Sequence, residues 1–166
     1  MDGVFGLALS PYKPGSDRKL YFHSLAATTE NVVKTSLLRN ESNIADPTIG
    51  IDDVYTFPRE RPSQSAAQAM DRDGNLFFGQ MDPPSIWFWN IETKFSRRNF
   101  HLIACDRETL QFASGVKALT NAEGEQELWV TTCSLQRVLT GRLTSDRINY
   151  RVHTGKISTL LCDSDY

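Results

Sequence analysis

One phrase recurs three times in this 166-residue chain: an apolar strand, a polar turn containing glycine, then leucine, an aromatic and another apolar residue. The first copy runs Phe5 to Leu9, turns through Lys13-Pro14-Gly15-Ser16-Asp17 and continues as Leu20-Tyr21-Phe22. The second runs Ala66 to Met70, turns through Asp71-Arg72-Asp73-Gly74-Asn75 and continues as Leu76-Phe77-Phe78. The third runs Val116 to Leu119, turns through Asn121-Ala122-Glu123-Gly124-Glu125 and continues as Leu128-Trp129-Val130. The three leucines stand 56 and 52 positions apart. A β-rich unit repeating at about 40–50 residues is the mark of a propeller blade. The expected fold is therefore all-β, a partial β-propeller of about three four-stranded blades.

The residue types within each unit favour sheet. Ile86-Trp87-Phe88-Trp89 suits a buried strand and makes a poor helix. Asp73-Gly74 marks a hairpin, because glycine accepts the positive φ of a primed turn. Asp82-Pro83-Pro84 separates two strands, since proline cannot donate to a ladder. Blades are predicted at roughly 2–57, 64–105 and 112–153, followed by a tail at 154–166. Strands are expected at Val4–Leu9, Lys19–His23, Val32–Leu37 and Val54–Phe57 in the first unit. The second has Ala66–Met70, Asn75–Gln80, Ser85–Asn90 and Phe100–Cys105. The third has Val116–Thr120, Glu127–Thr132, Arg137–Leu143 and Ile148–His153. Most of Arg39 to Gln64 reads as a long polar loop. The tail would wrap the body or be disordered. Propellers usually have 4–8 blades, so three would be part of a larger ring, with the N-terminus as a cut.

Composition excludes several classes of function. Eighteen basic residues against 20 acidic give a net charge of −2, without the basic stripe of a nucleic-acid binder. No apolar run reaches the roughly 18 residues of a membrane span. The three cysteines, Cys105, Cys133 and Cys162, are too scattered for a CxxC site and read as buried thiols or a structural disulfide. His23, His101 and His153 fall in three different units, which argues against a shared metal; no cofactor is expected. Asp71 and Asp73 flank a hairpin and are read as bonding their own turn. Asp52-Asp53 is read as a solvated pair, and the tryptophans as packing between blades.

Specific stretches resemble the yellow / major royal jelly protein family of insects. They include Asp2-Gly3-Val4-Phe5-Gly6-Leu7-Ala8-Leu9-Ser10-Pro11, Leu20-Tyr21-Phe22-His23 and Leu37-Leu38-Arg39-Asn40. Further along come Ser63-Gln64-Ser65-Ala66-Ala67-Gln68-Ala69-Met70-Asp71, Gly74-Asn75-Leu76-Phe77-Phe78-Gly79, Glu108-Thr109-Leu110-Gln111-Phe112 and Glu127-Leu128-Trp129-Val130. The chain is similar to the C-terminal part of such a protein. It departs at Ala113, where the family often has proline, and at Cys105, where it often has glutamine. The resemblance implies a six-bladed propeller, secreted and often glycosylated. It also implies a role in cuticle pigmentation or the melanin pathway, in amine binding, or in nutrition. It supplies no catalytic motif.

The innermost strand of a blade borders the central channel, so its entry residues are candidate ligand contacts. These are Gln64 and Ser65 before one strand, and Gln111, Phe112 and Ser114 around another. Amides, hydroxyls and an aromatic ring would suit a small aromatic amine or catechol-type ligand. Asn40-Glu41-Ser42 is a glycosylation sequon, with Asn40 as acceptor. The expected function is a secreted amine-binding protein of pigmentation. The alternatives are a dopachrome-converting enzyme and a structural or nutritive protein. No nucleic-acid or membrane partner is expected.

Overall fold

A computed structural model describes residues 3–42 and 53–163 of the chain. The first sheet comprises β1 (Val4–Leu9), β2 (Lys19–Ser24), β3 (Asn31–Lys34) and β4 (Tyr55–Thr56), in that spatial order. The second comprises β5 (Gln68–Met70), β6 (Asn75–Met81), β7 (Pro84–Asn90) and β8 (Phe100–Cys105). The third comprises β9 (Ala113–Thr120), β10 (Gln126–Cys133) and β11 (Tyr150–Lys156). All strand pairings are antiparallel meanders. β5 contacts both β1 and β9, so the first strand of each sheet adjoins the first strand of the next. Three meanders joined through their innermost strands form an open set of propeller blades, as the repeat predicts.

The repeated phrase is a repeated turn. Gly15, Gly74 and Gly124 take φ of 75°, 84° and 81°, values that side chains with a Cβ rarely adopt. In the second copy Asp71 Oδ1 accepts the backbone N–H of Asp73 (2.9 Å) and of Asn75 (2.8 Å). In the third, Asn121 Oδ1 accepts those of Glu123 (3.1 Å) and Glu125 (2.9 Å). Asp71 is thus fully engaged in its hairpin.

Strand alternation then sorts the side chains into two seams. Leu76 and Phe78 of β6 face the first sheet and join Ala8, Tyr21, Trp89, Phe95 and Phe100, with Trp87 packed alongside. Phe77, between them, faces the third sheet with Ile86, Phe88, Val116, Leu128 and Val130. The sheets at the two ends keep apolar faces exposed, with Phe5, Leu7 and Leu9 on one and Trp129, Tyr150 and Val152 on the other.

Gly79 sets the spacing of the second seam. A Cβ there would come closer to Ala113 Cβ than the 3.0 Å that real Cβ atoms observe. Gly79→Ala should therefore cost about 1–3 kcal/mol in urea unfolding, the usual penalty of overpacking. Adding Ala113→Gly should recover most of it; a double variant no better than the single would place the strain elsewhere.

Several expectations need correction. The predicted strand Arg137–Leu143 is instead helix α2 (Leu135–Leu139) and a turn, so the third sheet has three strands among the described residues. The physical reason is the helix stop. Gly141 at φ 64° lets its N–H reach the Val138 carbonyl (3.2 Å) and the Arg142 N–H reach that of Arg137 (2.8 Å). The strand expected through Leu37 ends at Lys34, where helix α1 (Thr35–Arg39) begins. Asp17 holds that helix start, accepting from the Thr35 hydroxyl (2.9 Å) and the Ser36 N–H (3.2 Å). The tail, expected to wrap the body or be disordered, packs on the body as far as residue 163. β11 runs on to Lys156, and helix α3 (Ile157–Asp163) buries Ile157 in the second seam. Residues 164–166 lie outside the described residues, as do Asp52 and the middle of the predicted 39–64 loop. The three cysteines are separate thiols, with Cys105 and Cys162 exposed and Cys133 half-buried.

Candidate functional site

The two predicted channel entries lie close together. β5 contacts β9, and Gly79, whose N–H donates to the Ala67 carbonyl (3.4 Å), abuts Ala113. Gln64 is exposed and its carbonyl accepts the Met81 N–H (3.1 Å). Ser65 is fully buried, and its hydroxyl finds no partner among the described residues. Ser114 is exposed and its hydroxyl lies 3.2 Å from the Thr131 carbonyl and 3.2 Å from the Thr131 hydroxyl. Phe112 is only 7% exposed, so its ring belongs to the interior. Gln111 is half-buried and lines a cleft of about 290 Å³ with Arg137, Arg147 and Arg151. Gln64 and Ser114 are the two of the five side chains that stand open.

The sequence concealed a buried ionic network between the first two sheets. Glu30 is fully buried; its Oε2 accepts Arg61 Nη1 (2.7 Å) and lies 2.9 Å from His23 Nδ1. Its Oε1 accepts Gln68 Nε2 (3.0 Å), which also donates to the Tyr21 carbonyl (3.1 Å). Arg61 Nη2 donates to the Thr29 carbonyl, and its guanidinium lies 5.9 Å from the Phe78 ring centre. Burial pulls the Arg61 pKa below its ordinary value, and the Glu30 carboxylate opposes this. Gly6, opposite His23 in the β1–β2 register, leaves the space that the imidazole fills. Glu30 and Arg61 are 31 positions apart, and no local pattern links them. With His23, Glu30 and Arg61 all essentially inaccessible, the network holds two blades together rather than meeting a solute.

The other histidines are dispersed. His101 stacks on Phe88 with centroids 4.9 Å apart, and His153 Nε2 lies 3.2 Å from the Thr109 carbonyl. Asn40 is exposed at the end of α1, and its Oδ1 accepts the Ser42 N–H (3.1 Å). On the outer side of the first seam, a cleft of about 460 Å³ is lined by Tyr55, Phe57, Trp89 and Phe95 together with Lys19 and Lys34.

Comparison with known proteins matches this architecture to one family. The family model for major royal jelly protein covers residues 1–164. Major royal jelly protein 7 of Apis mellifera is 28% identical over 96% of this chain and 37% of its own length. The L-dopachrome tautomerase yellow-f of Drosophila melanogaster is 29% identical over 96% of this chain and 36% of its own length. Protein yellow of Drosophila melanogaster is 27% identical over 96% of this chain and 28% of its own length. The chain thus spans about a third of the length of these curated relatives. Through the whole-length match and the blades that carry it, this chain belongs to the major royal jelly protein family, which includes the yellow proteins.

Proposed function

We propose that this chain is part of a secreted, glycosylated six-bladed propeller that acts in cuticle pigmentation or the melanin pathway. It holds a small aromatic amine in the channel bordered by β1, β5 and β9. The remaining blades cover the apolar faces left open by Phe5, Leu7 and Leu9 at one end and by Trp129, Tyr150 and Val152 at the other. The observation that carries the reading is the placement of Gln64 and Ser114. Both are open to solvent at adjoining inner strands, where an amide and a hydroxyl can orient a ligand. Asn40, exposed beside α1, carries the glycan.

Titration calorimetry of the purified protein with dopamine tests this reading. One equivalent should bind, and Gln64→Ala combined with Ser114→Ala should weaken binding by about tenfold, equivalent to about 1.4 kcal/mol. Absence of binding would overturn it. A second reading, conversion of dopachrome, is favoured by the similarity to yellow-f. It requires proton transfer by a group that can reach the substrate. Loss of dopachrome absorbance faster than in a protein-free control would establish that reading; no acceleration would remove it.

A further inference from the structure

The outer cleft between the first two sheets has a chemistry unlike that of the channel. Its floor is aromatic. Phe57 is 5.6 Å from Trp89 and 5.0 Å from Phe95, and Tyr55 meets Phe57 edge-on at 4.9 Å. Tyr55 remains 57% exposed, so the ring cluster is open on one side. At about 460 Å³ the cleft lies within the usual range of small-molecule sites.

Its rim is cationic in a way that the fold alone does not reward. Lys19 of β2 and Lys34 of β3 are direct cross-strand partners, and both line the cleft. Like charges placed opposite one another on neighbouring strands destabilise the pair. Lys94 adds a third ammonium, against the carboxylate of Asp53, the one acidic side chain among the described lining residues. None of the three lysines makes a side-chain ion pair among the described residues. The indole N–H of Trp89, which also lines the cleft, is buried without an acceptor among the described residues. A buried donor without an acceptor costs stability unless a water or ligand completes it.

These features converge on one ligand class. An apolar ring can lie on the aromatic floor, while an anionic group neutralises the Lys19–Lys34 pair. An ammonium ligand would meet an excess of positive charge. We propose that this cleft binds a small aromatic carboxylate, with its ring against Tyr55 and Phe57 and its carboxylate held by Lys19 and Lys34. The site is separate from the proposed amine site, and neither depends on the other.

Two probes with the same ring and opposite charge give the test. Calorimetry on the purified protein would compare 3-(3,4-dihydroxyphenyl)propionate with dopamine. The acid should bind with one equivalent. Lys19→Ala combined with Lys34→Ala should weaken acid binding by at least about tenfold, because charge-assisted hydrogen bonds are lost. Acid binding should also weaken as salt rises, since exposed charges are screened. Both lysines are exposed, so the double variant should fold and melt no lower than the parent. The Gln64→Ala, Ser114→Ala variant should leave acid binding unchanged. No binding of the acid, binding indifferent to the lysine pair, or displacement of the acid by equimolar dopamine would each overturn the proposal.

Discussion

Glu30→Ala should destabilise the protein by about 3–5 kcal/mol in urea unfolding, the range for removing one partner of a buried ion pair. The carboxylate is fully buried. It accepts from Arg61 at 2.7 Å and from Gln68 at 3.0 Å, and it lies 2.9 Å from His23 Nδ1. Its removal strands a guanidinium that is only 3% exposed, and the Gln68 amide then keeps only its bond to the Tyr21 carbonyl. The loss is therefore larger than the worth of the pair itself, because an unpaired buried charge is more costly than no charge. Replacing both ions with apolar side chains of similar volume, Glu30→Leu with Arg61→Met, should recover much of the loss. A Glu30→Ala variant within about 1 kcal/mol of the parent would show that water reaches the seam, since solvated pairs contribute only that little.

The second large effect is expected at Phe77, which is fully buried in the other seam. Phe77→Ala should cost about 3–5 kcal/mol, the sum of lost transfer energy and the cavity left behind. Phe88, with its ring centre 5.9 Å away, loses its aromatic neighbour as well. Because β6 turns alternate side chains to opposite seams, Phe77→Ala and Glu30→Ala act on separate cores. Their effects should add to within about 0.5 kcal/mol, as distant sites usually do. Strong coupling between them would mean that the second sheet yields as a unit, transmitting strain from one seam to the other.

The sequence made the fold legible because its signals were local and repeated. Gly15, Gly74 and Gly124 all take the positive φ that their turns require, and the Leu-aromatic-apolar phrase that follows each lies in the second strand of each sheet. Arg137–Leu143 misled because Val138, Leu139 and Leu143 make it apolar enough to be read as a strand. The Thr140-Gly141 helix stop lay within it, and Val138 (41% exposed) and Leu139 (75% exposed) never reach the core. Of the channel candidates, Gln64 and Ser114 stand open, whereas Phe112 turns inward; strand-entry position alone does not say which way a ring points.

The blade repeat, the turns that close each hairpin and the alternation that gives every strand two faces all come from local sequence. These depend on neighbours a few residues apart, so they are written in short stretches of chain. The tertiary structure alone decided which faces meet. It brought Glu30 to Arg61 across 31 positions and set Lys19 against Lys34 at the mouth of an aromatic cleft. Such pairings depend on how meanders pack, and packing is a property of the whole chain that no local pattern encodes.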